Sequence, residues 1–224
     1  MKITFISLFP EYYKGFIKHS IIKNAISKKI IEIEIINPRK FSQNNKVDDA
    51  LYGGGSGMLL MIEPIVKAIR SVKNSDSYIV LVGPRGSKLK QDKVKSIAKN
   101  VKHLILICGH YEGIDSRIKY YIDEEISIGD YIITGGETAS MVITEAIVRL
   151  IPNVIKNDSH MDESFENNGL LEYDQFTKPV EFEGHHVPQV LLSGNHYDIK
   201  KFRRQNSIDK TIEVLLRKER NNGN

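Results

Sequence analysis

Apolar residues gather along this chain in short runs. The runs alternate with stretches that carry apolar positions every third or fourth residue. Ile3–Leu8, Ile31–Ile36, Tyr78–Val82, Leu104–Ile107 and Tyr131–Thr134 read as buried strands. Between them, Tyr12–Lys28, Glu63–Val72, Leu89–Asn100 and Ile114–Tyr121 have helical spacing. Pro64 suits a helix start, where a missing N–H costs nothing. Strand–helix alternation of this kind predicts a parallel α/β sheet with helices on both faces. A last amphipathic helix, Glu137–Leu150, carries Ala139, Val142, Ile143, Ala146, Ile147 and Leu150 on one face, and Pro152 stops it.

Beyond Pro152 the pattern changes. Asn153 to Asn168 is polar and reads as a mobile linker. Helical spacing returns near Asp198–Gln205 and Ile208–Glu219. The predicted organisation is an α/β domain over 1–152, a flexible linker over 153–168 and a small basic helical domain over 169–224. The 224 residues, 41% of them hydrophobic, suffice for one good core.

Charge adds a clue. The chain is +4 overall, and Asn195 to Arg220 alone holds eight Lys/Arg against four acids. Such a segment suits a polyanion such as nucleic acid, or is simply a solvated helix face. Cys108 is the single cysteine, which excludes a disulfide framework and points to a reducing compartment. The apolar run of MKITFISLFPEYY ends at Pro10-Glu11 with no small-residue cleavage site, so it reads as a strand rather than a leader. No run reaches the roughly 18 apolar residues a membrane span needs. A soluble, cytoplasmic protein with no membrane partner is expected.

Glycines cluster where strands are predicted to end. One cluster is Gly83-Pro84-Arg85-Gly86, the second Gly109-His110-Tyr111-Glu112-Gly113, and the third Gly129-Asp130 with Gly135-Gly136. Parallel sheets bind ligands at the carboxyl ends of their strands, and glycine lets backbone approach a ligand there. One cluster alone is an ordinary tight turn. Three on neighbouring strand ends predict a pocket lined by backbone N–H and C=O groups, with Tyr111 and Glu112 contacting what it holds. Asp115 reads as a helix cap and Cys108 as a small buried residue. A fourth cluster, Tyr52 to Met58, reads as a lid. No GxGxxG follows the first strand, and Gly83–Lys88 lacks the spacer of a P-loop, which argues against dinucleotide binding and NTP hydrolysis. The seven histidines lack metal-ligand spacing, so no metal site is expected.

The stretches ISLFPEYY, VDDALYGGGSGM, CGHYEGIDSR, SIGDYIITGGE, RLIPNVI, ESFENNGLLEY, VPQVLLSGNH and KFRRQNS stand in this order from Ile6 to about Arg217. Together they resemble the bacterial tRNA (guanine-N(1))-methyltransferase family, TrmD, of the SPOUT superfamily. The resemblance implies an α/β domain with a deep trefoil knot and a small, mostly helical C-terminal domain. It implies a homodimer with shared active sites, and methylation of tRNA at guanosine 37, just 3′ of the anticodon. It also implies S-adenosylmethionine held by Val82, Gly83 and Pro84, by Gly109, Tyr111, Glu112 and Gly113, and by Ser127, Ile128, Gly129, Asp130, Tyr131, Ile132, Ile133, Gly135 and Gly136. A magnesium ion is compatible with it.

Guanine N1 carries a proton that must leave before methylation, and charge then spreads onto the exocyclic oxygen. The resemblance assigns the base to Glu163 and the stabilising guanidinium to Arg149. Several positions depart from the family's pattern. Glu163 stands where aspartate is usual, with Asp162 beside it. His110 replaces an arginine, Ala139 a proline and Lys178 an arginine, and Val82–Gly86 is an altered Leu-Ser-Pro-Gln-Gly loop. A related enzyme acting on another RNA or another guanine atom, and a non-catalytic RNA binder using the basic domain alone, are the competing readings.

Overall fold

The computed structural model describes residues 1–155, 163–165 and 169–222, with side chains through 220. Five parallel strands form its sheet: β1 (Lys2–Ile6), β2 (Glu32–Ile36), β3 (Ser77–Lys88), β4 (His103–Cys108) and β5 (Glu124–Ser127). They lie in the order β2-β1-β4-β3-β5. Strand β4, apolar from Leu104 to Cys108, sits at the centre, buried at every position, because both its faces meet helices. Its neighbours alternate between two cores. Val80 and Val82 face one, with Tyr13, α1 (Ser20–Ser27), α3 (Gln91–Asn100) and α4 (Gly136–Val148). Ile79 and Leu81 face the other, with α2 (Ile62–Val72) and Ile118. Each fully buried aliphatic side chain contributes about 1.5–3 kcal/mol.

Several elements differ from the sequence pattern. Tyr131–Thr134 is a loop, not a strand, and Ile132 is 81% exposed. Glu124–Ser127 takes the edge position instead, pairing with Val80–Val82 and then with Ser87 and Lys88. Strand β3 runs on past Val82 through the glycine cluster at 83–86, with an irregularity between Val82 and Ser87. Gly86 allows this, since a Cβ there would lie 2.4 Å from the backbone of Glu125. The stretch Tyr12–Lys28 is broken into a 3-10 turn, a single helical turn at Tyr13–Phe16, and α1, with Ser20 at φ 53° as the joint. Ile114–Tyr121 is only a 3-10 helix over Ser116–Tyr120, capped by the Asp115 side chain accepting from Arg117 N at 2.9 Å. On α4, Val142 is exposed, while Glu137, Ser140 and Thr144 share the buried face with Ala139, Ile143 and Ile147.

The chain divides into two compact units, Met1–Ile155 and Lys156–Asn224. In the second, one continuous helix, α5 (His196–Asn222), replaces the two expected. Asn206 and Ser207 suggest a break because such side chains compete for backbone bonds. Here Asn206 spends its amide on Asp174 instead, accepting from its N at 2.7 Å, and Ser207 is buried. A two-residue turn at Glu183-Gly184 joins Glu181–Phe182 to His185–His186 in a small antiparallel ladder.

Candidate active site

The first unit gathers its glycine-rich loops at the carboxyl ends of the strands. The chain leaves β4 at Gly109, runs out to β5 at the sheet edge, and returns to Gly109. There Gly136 N donates to Gly109 O at 2.8 Å, and His110 bridges Gly135. A Cβ on Gly136 would lie 2.8 Å from Cys108 Cα and 3.0 Å from Gly109 N, so only glycine fits this crossing.

The loop after the fourth glycine cluster is stitched to the same place. Glu112 N donates to Met58 O at 3.1 Å, Leu60 N to Gly113 O at 3.0 Å, and Asp115 N to Leu60 O at 3.0 Å. Gly57 lies against the Glu112 side chain. The 127–130 loop is tied to the end of β3 by Leu89 N donating to Ser127 O at 2.9 Å and by a Lys88–Asp130 ion pair. Ser127 Oγ closes the turn on itself, accepting from Gly129 N at 3.2 Å.

Beneath the loops lies a buried polar cluster. Ser7 Oγ, just past β1, donates to Glu137 Oε1 at 2.7 Å, and Glu137 is 2% exposed at the start of α4. His110 Nδ1 is buried 3.9 Å from Glu137 Oε2 with no hydrogen-bond partner among the described residues, and its ring lies against Phe9 and Tyr111. The Tyr13 hydroxyl bridges Cys108 Sγ at 3.2 Å and Ser140 Oγ at 2.9 Å. Sequence reading missed Ser7, Tyr13, Glu137 and Ser140 as supports. The available signal was an acid and a serine on the buried face of α4. Burial pushes the Cys108 thiol up to about 12. A thiol reagent at neutral pH is therefore expected to spare the native chain and to modify one cysteine per chain in denaturant, which mass spectrometry reads directly. Native labelling as fast as denatured labelling would contradict this burial.

Above the loops, Tyr111, Tyr131, Ile132 and Ile133 are exposed, and residues 130–134 belong to no strand or helix. Their backbone groups lie outside any ladder. Backbone donors and acceptors beside apolar and aromatic side chains, with the Glu112 carboxylate alongside, fit a ligand like S-adenosylmethionine: a flat base, a sugar and a cationic tail. Among the described residues no three His, Cys, Asp or Glu side chains gather to hold a metal ion, so no step is assigned to magnesium. Among them, too, no helix is long and apolar enough to cross a membrane.

The predicted cofactor residues thus fall together: 109–113 with 135–136, and 127–133 following β5, next to Val82 and Gly83 on β3. The two expected catalytic residues do not join them in this unit. Arg149 caps the far end of α4, and thirteen helical steps put it about 20 Å along the axis from Gly136. Glu163 belongs to the second unit. Asp162 lies outside the described residues.

A model of the family described as "tRNA (Guanine-1)-methyltransferase TrmD" matches residues 1–219. Among similar curated proteins, the tRNA (guanine-N(1)-)-methyltransferase of Mycoplasma mycoides subsp. mycoides SC is 55% identical over 215 residues, 95% of this chain and 89% of that protein. That of Malacoplasma penetrans is 54% identical over 213 residues, 94% of this chain and 93% of its own length. The one from Ureaplasma urealyticum serovar 10 is 50% identical over 222 residues, covering 98% and 95%.

Proposed function

Because the chain belongs to the tRNA (guanine-1)-methyltransferase TrmD family, we propose that it methylates N1 of guanosine 37 in tRNA, with S-adenosylmethionine as methyl donor. The observation that carries the reading is the stitched set of loops at 57–60, 109–115 and 135–136, a backbone-lined cradle in a chain of this family. The return of the chain from β5 to Gly109 supports the trefoil knot expected of the family, a rare exception among folds. The unit from 169 onward, with its basic α5, is read as the tRNA-binding domain, and the stretch 153–168 as the linker that lets it close. A cytoplasmic location follows from the same reading.

In this mechanism the bound donor supplies a methyl group already activated on a sulfonium. The rest is done by the chain. Glu112 offers a carboxylate to the cationic tail. The loops at 109–113 and 127–136 hold the donor by backbone groups and exclude water from it. Glu163 takes the proton from guanine N1, and Arg149 offsets the charge that develops on the exocyclic oxygen. Orientation supplies much of the remaining acceleration.

Arg149 stands about 20 Å along α4 from its own glycine loops. We read it as serving the site of a second copy, which makes the homodimer part of the catalytic unit.

The test uses methyl-labelled S-adenosylmethionine and two tRNAs, one with guanosine and one with adenosine 3′ of the anticodon. Label recovered as 1-methylguanosine from the first alone is expected. Label in another nucleoside would favour a related enzyme with a different target. No label, and no stabilisation by S-adenosylhomocysteine in thermal melting, would favour a non-catalytic RNA binder.

A further inference from the structure

Glu163 begins a turn that is fastened in place. Ser164 Oγ accepts from Glu172 N at 3.0 Å, and Phe165 N donates to Leu170 O at 2.8 Å. The strand-like segment on the other side of that turn is itself bolted to α5. Leu171 N donates to Thr211 Oγ1 at 2.9 Å, and that hydroxyl donates onward to Ser207 O at 2.7 Å. Asp174 takes three bonds from the same helix face: its N donates to Asn206 Oδ1 at 2.7 Å, its carboxylate accepts from Asn206 Nδ2 at 3.3 Å, and Lys210 Nζ pairs with it at 2.8 Å. The Lys210 ammonium holds the Asp174 carboxyl below the usual carboxylate range, so the pair stays charged at neutral pH. The Arg203 guanidinium lies over the Tyr173 ring, 4.8 Å from its centroid. Residues 203, 206, 207, 210 and 211 recur at three- and four-residue steps, one stripe of α5.

We propose that Ser164 and Thr211 are positioning residues for the base: Glu163 is mounted, through Ser164–Glu172 and Leu171–Thr211, on the basic helix α5. This deepens the functional reading above and rests on it. The sequence pattern describes a loose linker that brings Glu163 over the site. The bonds fasten the backbone next to Glu163 to the same helix whose Lys200, Lys201, Arg203 and Arg204 would meet the phosphates of tRNA. Recognition and proton removal then belong to one rigid body. RNA that docks on α5 carries the base with it, and misdocked RNA leaves the base out of reach.

The experiment compares Ser164→Ala, Thr211→Val, Thr211→Ser and Glu163→Gln in the full chain. It measures the single-turnover methyl-transfer rate on a guanosine-37 tRNA, the Kd for S-adenosylmethionine, the Kd for tRNA, and the pH dependence of the rate. Ser164→Ala and Thr211→Val are expected to lose roughly 10- to 100-fold in rate, the cost of a reacting group misplaced by about an ångström. Both affinities should stay within about twofold of the original. Thr211→Ser keeps the hydroxyl and should restore the rate. As pH rises toward the ionisation of guanine itself, the deficit of Ser164→Ala should shrink, because a base is no longer needed; a merely structural defect would not follow that curve. Combining Ser164→Ala with Glu163→Gln should cost no more than Glu163→Gln alone, since one acts through the other. Glu163→Gln at full rate would overturn the base assignment itself. A slow Glu163→Gln beside full-rate Ser164→Ala and Thr211→Val, or losses confined to tRNA affinity, would overturn the mounting and leave the base assignment intact. Ser164 sits on a half-exposed turn, so its substitution tests the proposal even where Thr211→Val fails to fold.

Discussion

Glu163→Gln is expected to slow methyl transfer by roughly 10²–10⁴-fold, the usual worth of a positioned proton acceptor. Glutamine keeps the length and one acceptor oxygen of the side chain, and loses the negative charge and with it the ability to take a proton. Affinity for S-adenosylmethionine should therefore stay nearly unchanged, because the glycine loops proposed to hold it belong to the first unit and Glu163 to the second. Isothermal titration beside single-turnover kinetics separates the two effects. Equal loss of rate and cofactor affinity would remove Glu163 from the proton-transfer step. A residual rate that vanishes only in the Asp162→Asn, Glu163→Gln double variant would assign part of the work to Asp162.

The second large effect is expected at the chain crossing. Alanine at Gly136 places a Cβ 2.8 Å from Cys108 Cα and 3.0 Å from Gly109 N. Both neighbours are backbone of the central strand and its exit, so no side-chain rotation relieves the clash. Either the start of α4 or the end of β4 must move. Overpacking of this kind costs about 1–3 kcal/mol, and here it also stretches the Gly136–Gly109 hydrogen bond and shifts Glu137 away from Ser7. Gly136→Ala is expected to lower the melting temperature by several degrees and to abolish stabilisation by S-adenosylhomocysteine. Gly15→Ala is the control. Its Cβ meets nothing within 4 Å, and it should leave stability and ligand response unchanged or slightly raised. Normal ligand stabilisation in Gly136→Ala would show that the crossing does not shape the cradle.

How much of this was legible in the sequence depended on which force decided each element. Leu104–Ile107 was legible because a centre strand must be apolar on both faces. The glycine clusters at 109–113 and 129–136 do follow strand ends, as the pattern suggested, whereas 83–86 lies inside β3, because Gly86 lets the strand run on past the backbone of Glu125. Tyr131–Thr134 misled because β-branched and aromatic residues suit a strand, yet these stand exposed in a loop while Glu124–Ser127 holds the sheet edge. Val142 follows the helical period yet stands exposed, since the buried face of α4 includes Ser140, which bonds Tyr13, and Thr144. Asn206 and Ser207 look like a helix break until the partner of Asn206 at Asp174 is seen, and no local pattern reveals a partner thirty residues away. The role proposed for Glu163 rests on the family resemblance alone, and the Ser164–Glu172 and Leu171–Thr211 bonds beside it needed three dimensions.

Strand β1 is synthesised well before its partners, for it pairs on one side with residues 103–107, and Ser7 at its end bonds a glutamate 130 positions later. A growing chain on the ribosome can pair β1 only with β2 until about a hundred more residues have emerged, roughly 5–20 s at ordinary synthesis rates. During that interval the β4-facing edge of β1 is unpaired. The crossing of Gly136 on Gly109 forms only when the start of α4 has left the exit tunnel, so the buried Ser7–Glu137 bond reports a finished first unit.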